Sequence, residues 1–160
     1  MTTSTTKKVL VDRFDRSQLR GFASPHSMFA ADGIEVLSPA GQAVIVPHAQ
    51  IKALSFVRDW DSKSVLEERR HFLARPKMNG LWVQFVFRDG DRLEGVIPLN
   101  LQTIDTAGYL VTPPETAGNA QRVFIPRQAL LEANVLGVMG ARKAKAPKRE
   151  SQQITLFPID

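Results

Sequence analysis

Few side chains in this sequence could do chemistry, and they do not gather. The 160 residues contain three histidines, His26, His48 and His71, and no cysteine. None of the histidines has a second ligand at metal-binding spacing, such as a partner histidine four residues away on a helix face. A loop, a turn and a linker are their expected places, with surface polarity their expected role. Asp59 and Asp61 flank Trp60. Two carboxylates can share general acid–base work, but Asp-Trp-Asp reads here as a turn anchored by an indole. No Gly-x-Ser-x-Gly elbow, Ser-x-x-Lys pair or phosphate-cradling glycine loop is present. The absence of cysteine excludes disulfides and thiolate metal sites. The expectation is a non-enzymatic protein with no cofactor, no metal and no small-molecule substrate.

Charge sharpens this reading. The chain carries 21 basic and 16 acidic side chains, a net charge of +5. Residues 141–160 alone hold five of the cations (Arg142, Lys143, Lys145, Lys148 and Arg149) against Glu150 and Asp160. The preceding residues are nearly balanced, so a basic groove across the folded part is not implied. Those five cations are the candidate nucleic-acid contacts, weak and nonspecific. No apolar run is long enough to span a bilayer. The N-terminal Thr-rich stretch lacks the apolar core of a secretory signal. A cytoplasmic location is expected.

The tail has one specific feature. Ala141 to Arg149 is alanine, proline and cations without apolar periodicity, the composition of a solvated linker. It is followed by Gln153-Ile154-Thr155-Leu156-Phe157, three of whose residues are apolar and need something to bury them. The pentapeptide resembles the motif by which bacterial replication and repair proteins dock onto the DNA sliding clamp. The resemblance implies that Gln153 enters a polar pocket while Leu156 and Phe157 fill adjacent apolar ones. Burying that Leu and Phe supplies about 3–6 kcal/mol gross, which after ordering costs suits micromolar affinity. The alternation of Ile154 and Leu156 equally suits a strand added to an open sheet edge of the same chain.

The positioning elements repeat. Residues 82–96 placed beneath residues 8–22 align Asp89 with Asp15, Leu93 with Leu19 and Gly95 with Gly21. At the same offset of 74, Leu110-Val-Thr-Pro113 lies under Val36-Leu-Ser-Pro39. After five further residues, Val123-Phe-Ile-Pro126 lies under Val44-Ile-Val-Pro47, and Val135-Leu136 under Phe56-Val57. Each copy reads as five short strands: alternation at Val83, Phe85 and Phe87 marks one, and Asp89-Gly90 its hairpin turn. A glycine inside the second strand permits a sharp bend. Between the copies, Ser62 is placed to cap a short helix that Pro76 stops.

A bent five-stranded unit of this size resembles an Sm-like or SH3-like barrel. The stretch from Lys8 to Val138 resembles an uncharacterised bacterial family built from two such barrels, through Phe56-Val-Arg-Asp-Trp60, Glu67-Glu-Arg-Arg-His71, Phe87-Arg-Asp-Gly90 and Arg122-Val-Phe-Ile125. The implied fold is all-β: two tandem five-stranded Sm-like (SH3-like) small barrels, 7–57 and 80–138. A short, partly helical strap at 58–79 joins them, and a disordered basic tail occupies 139–160. Sm-type base pockets use an Asn in the third-strand loop and an Arg-Gly pair. The loops Ser27–Gly33 and Pro47–Gln50 lack both, and the second copy offers Arg127 alone. The expected function is an adaptor or protein-binding module, recruited to the sliding clamp through Gln153–Phe157. RNA or DNA binding by the barrels is the competing reading, and a tail packed back on them is the third.

Overall fold

The computed structural model describes residues 6–30, 32–100, 107–115 and 117–140. The described residues are all-β. The strands are β1 (Lys7–Arg13), β2 (Gln18–Ala23), β3 (Ile34–Leu37), β4 (Ala43–Val46), β5 (Ile51–Val57), β6 (Gly80–Phe87), β7 (Arg92–Ile97), β8 (Gly108–Val111), β9 (Ala120–Pro126) and β10 (Leu130–Met139). Seven form one sheet in the order β4-β3-β2-β1-β5-β9-β8, and three form another in the order β10-β6-β7. A lone antiparallel bridge, Val96 to Thr112, joins β7 to the end of β8.

The two halves pair their strands in the same way. Val9 pairs with Gly21 in the first half, and Val83 with Gly95 in the second, each 74 residues on. Phe56 pairs with Val9, and Val135 with Val83. Both fifth strands bulge at an equivalent place, skipping Lys52 between Ile51 and Ala53, and Leu131 between Leu130 and Glu132; β10 shifts again between Val135 and Gly137. The third strand departs from the expected alignment by one residue. Phe22 pairs with Leu37 while Val96 bridges Thr112, so Leu37 corresponds to Thr112 rather than to Val111. Part of the length difference therefore precedes the third strand instead of all following it.

The first hairpin turns show what that pairing costs locally. Arg16 has φ +74 and its counterpart Gly90 has φ +96, a region open to glycine and strained for a side chain bearing Cβ. In the second strand, a Cβ on Gly21 would lie 2.5 Å from the Leu37 carbonyl oxygen. Only a residue without one lets β3 cross so closely.

The strap differs from expectation. Among the described residues it contains no α-helix, only a single 3₁₀ turn at Val65–Glu67. Ser64, not Ser62, stands at its start, and the Glu67 carboxylate accepts a hydrogen bond from Ser64 N at 2.9 Å. Val65 N donates in turn to Ser55 Oγ of β5 (3.1 Å), so tertiary contacts hold the segment where three residues could not propagate a helix.

Two apolar clusters form the core, and they exchange residues. One gathers Val9, Val11, Met28, Ile34, Ile51, Leu54 and Phe56 of the first half around Phe124 of β9. The other gathers Val83, Phe85, Phe87, Leu93, Val123 and Ile125 of the second half around Ala53 and Val65. Strand β5 is buried along all seven residues because it sends alternate side chains into both clusters.

Candidate functional site

The span that held the expected sites, Arg142 to Phe157, lies outside the described residues. The residues that can be placed form three features: a pair of loop slots, a charged cleft and two sheet edges.

The loop slots are equivalent positions at the starts of 3₁₀ turns. His48 is buried, not on the surface as expected, and its Nε2 lies 3.0 Å from the Met28 carbonyl oxygen. Its ring sits 6.0 Å from that of Phe124. It ties the loop before β3 to the turn before β5, which is structural work. Arg127 occupies the same slot in the second half, with its guanidinium 5.1 Å from the Tyr109 ring. His26 and His71 are partly or well exposed. Trp60 anchors its turn as its sequence context suggested, donating from Nε1 to the Gly21 carbonyl (3.0 Å) and packing edge-on against Phe22.

The charged cleft, about 450 Å³, opens where the β1–β2 turn meets the β6–β7 turn, between Arg13, Arg16, Lys52, Leu66, Asp89 and Asp91. The bulge in β5 aims Lys52 into it. Its side chain is only 9% exposed. The ammonium donates to Asp89 Oδ2 at 2.6 Å and to Asp91 Oδ2, and it lies 5.3 Å from the Phe87 ring. Arg88 stacks on Phe14 at 3.8 Å and donates to the carbonyls of Ala49 and Gln128. Asp12 lies at the cleft's floor, where burial pushes its carboxyl above the ordinary range against an opposing hydrogen bond from Gln18. Burial also works against the Asp89 carboxylate, but Lys52 and the Asp91 backbone N–H together outweigh it and the net shift is downward. Two carboxylates hold Lys52, so the cleft carries an ion-pair staple between the halves. Among the described residues no three His, Asp or Glu side chains are placed to share a metal ion. Nothing in residue spacing announced this cluster, since Lys52 lies 37 and 39 positions from Asp89 and Asp91.

The third feature is edge geometry. Within the chain, β5 pairs with β9 through Leu54–Phe124, Ser55–Val123 and Phe56–Arg122, then, after a shift, Val57–Ala120. Asn119 closes that seam: its amide donates to the carbonyls of Asp59 and Lys63, and its Oδ1 accepts from Asp59 N. Strands β4 and β10 end their respective sheets. Ile45 and Val135 are each 58% exposed there, accompanied by Val44, Leu131, Leu136 and Val138. No described helix is long and apolar enough to cross a membrane.

The described residues thus combine an internally repeated strand pairing, a cleft closed by ion pairs and apolar sheet edges. Residues 5–137 match DUF6982, a family of unknown function, and the chain belongs to that family. No curated protein and no solved structure matches it.

Proposed function

We propose that the protein is a non-enzymatic adaptor: two tandem five-stranded Sm-like barrels, 7–57 and 80–138, carrying a C-terminal peptide that docks on the bacterial sliding clamp. Support for the paired units comes from their common register, common fifth-strand bulge and common 3₁₀ turn before the fifth strand. The bridge Val96–Thr112 joins the two sheets in the second half as Phe22–Leu37 joins β2 to β3 in the first.

The observation that carries the docking reading is Gln153-Ile-Thr-Leu-Phe157, which thirteen residues, 140–152, separate from the end of β10. Extended, such a stretch could span at most about 45 Å, enough to reach a groove on a separate protein. The body itself favours adaptor over nucleic-acid binder, because Lys52, Arg69 and Arg70 are engaged with Asp89, Asp91 and Glu115. A phosphate backbone needs cations in a continuous strip.

The experiment is a titration of a synthetic peptide, Ser151–Asp160, into purified clamp by calorimetry or fluorescence anisotropy. The expected dissociation constant is on the order of micromolar. Leu156→Ala with Phe157→Ala should remove most of the binding, and Gln153→Ala should weaken it by about 1 kcal/mol. Absence of binding near a millimolar overturns the docking reading.

A further inference from the structure

Among the described residues β7 and β8 share a bridge, and the other two terminal strands, β4 and β10, pair with nothing on their outer side, each the complement of the other. The seam inside the chain joins the fifth strand of the first half, β5, to the fourth strand of the second, β9. What remains outside is the fourth strand of the first half, β4, and the fifth strand of the second, β10. We propose that β10 of one copy pairs with β4 of another, repeating between chains the antiparallel seam that β5 and β9 make within one.

The shared registers specify the contact. Residues Leu54, Ser55 and Phe56 correspond to Ala133, Asn134 and Val135, because both sets pair with the same positions of the first strands. Phe124 and Val123 correspond to Ile45 and Val44, since Ile34 pairs with Val46 as Tyr109 pairs with Ile125. Transferring the seam sets Ala133 against Ile45 of the next copy, Asn134 against Val44 and Val135 against Ala43. The side chains concerned have the burial pattern of a missing neighbour. Phe56, Val123 and Phe124 are buried in the internal seam, whereas Val135, Val44 and Ile45 stand exposed at the equivalent places.

The edges also lack the usual protection. Open edges in soluble proteins are blunted by lysine, proline or inward charge. Strand β4 reads Ala-Val-Ile-Val, and β10 has Glu132 as its single charge over ten residues. Arg75 donates to the Val138 carbonyl (3.2 Å) near the far end of β10, leaving the stretch from Glu132 to Leu136 as the usable edge. A foreign strand would need only one such edge. A second copy uses both, and the contact is head-to-tail, so the assembly closes as a ring or grows as a filament.

The test uses the full chain in sedimentation velocity and native mass spectrometry from about 1 to about 100 μM. Wild type should form species heavier than one chain. Ile45→Lys and Val135→Lys should each raise the dissociation constant at least about tenfold. Mixed, they should form a one-to-one heterodimer and nothing larger, since one variant keeps β10 and the other keeps β4. Ile45→Thr and Val135→Thr, which keep β-propensity, serve if lysine disturbs folding by circular dichroism. Leu156→Ser with Phe157→Ser should leave assembly unchanged. Single chains throughout that range, single-edge variants that assemble like wild type, or a mixture that stays monomeric would each overturn the proposal. Assembly gained only by the tail variant would also overturn it, and would assign the edge to residues 154–157.

Discussion

Lys52 offers a direct measure of how strongly the two halves are coupled. Lys52→Met keeps the length and the apolar contact with Phe87 and Phe14 while removing the ammonium. Removing one partner of a fully buried ion pair costs about 3–5 kcal/mol, whereas exposed pairs are worth about 0–1 kcal/mol. Lys52 is nearly buried, but the Asp89 and Asp91 side chains are 40% and 43% exposed, so water can resolvate them once the cation is gone. The expected loss is therefore about 1–2 kcal/mol, or about 3–6 °C in Tm for a chain of this size. A double-mutant cycle with Asp89→Asn in urea isolates the pair, with a coupling of about 1 kcal/mol at neutral pH after discounting for that exposure. The pH dependence has a definite sign. Asp89 titrates below its ordinary value in the folded protein, so its contribution is present above about pH 4 and is lost as pH falls through the lower folded value. Wild type should lose more stability than the Asp89→Asn variant as pH is lowered from about 5 to about 3. A coupling below about 0.3 kcal/mol at neutral pH, or the same acid slope in both proteins, would refute the staple.

Two backbone predictions follow from the repeat. Arg16→Gly should stabilise the protein by about 0.5–1 kcal/mol in urea melts, because it relieves a left-handed φ while giving back some unfolded-state entropy. A loss of stability would mean that the Arg16 side chain contributes more at the cleft mouth than its backbone costs. Gly21→Ala should destabilise by about 2–4 kcal/mol, since the new methyl meets a backbone carbonyl that cannot move aside. Gly41→Ala is the comparison: its φ is +93 but no atom lies within 4 Å of the added Cβ, so about 1 kcal/mol is expected. Equal losses at the two positions would refute the steric account of Gly21.

The all-β class and the strand positions were legible because alternation and turn chemistry are local signals. Val83, Phe85 and Phe87, followed by Asp89-Gly90, needed no tertiary knowledge. The strap was misread because Ser62 and the acidic-basic run Glu67–Arg70 satisfy a helix pattern in isolation. Its backbone groups instead bond across to Ser55, Glu94 and Glu115. His48 was misread as surface because a lone polar residue after Pro47 carries no burial signal, and the Met28 carbonyl that receives it is 20 residues away. The one-residue shift at β3 was hidden because Val36-Leu37 can lie over either Leu110-Val111 or Val111-Thr112, and only pairing with β2 decides. The charged cleft was invisible for a related reason. Sequence comparison sets Lys52 against Leu131 as a mismatch, and nothing local says that one bulge residue enters a cleft while its counterpart stays 70% exposed.

That mismatch separates the two ends of the molecule physically. In the first half the bulge points a cation at the β6–β7 turn, and the fifth strand continues into a seam with β9, so every residue of β5 is buried. In the second half the bulge presents an apolar side chain at a strand whose residues are mostly exposed. If β10 simply faced solvent, Leu131, Val135, Leu136 and Val138 would gain nothing from being apolar, and unpaired backbone groups beside them would invite nonspecific pairing. The apolar side chains of β4 are exposed under the same conditions on the opposite type of edge. One pairing geometry, already made once inside the chain, accounts for both surfaces without a further partner. The two proposals are separable: loss of the tail peptide should remove clamp binding and leave assembly intact, whereas a charge on Ile45 or Val135 should do the reverse.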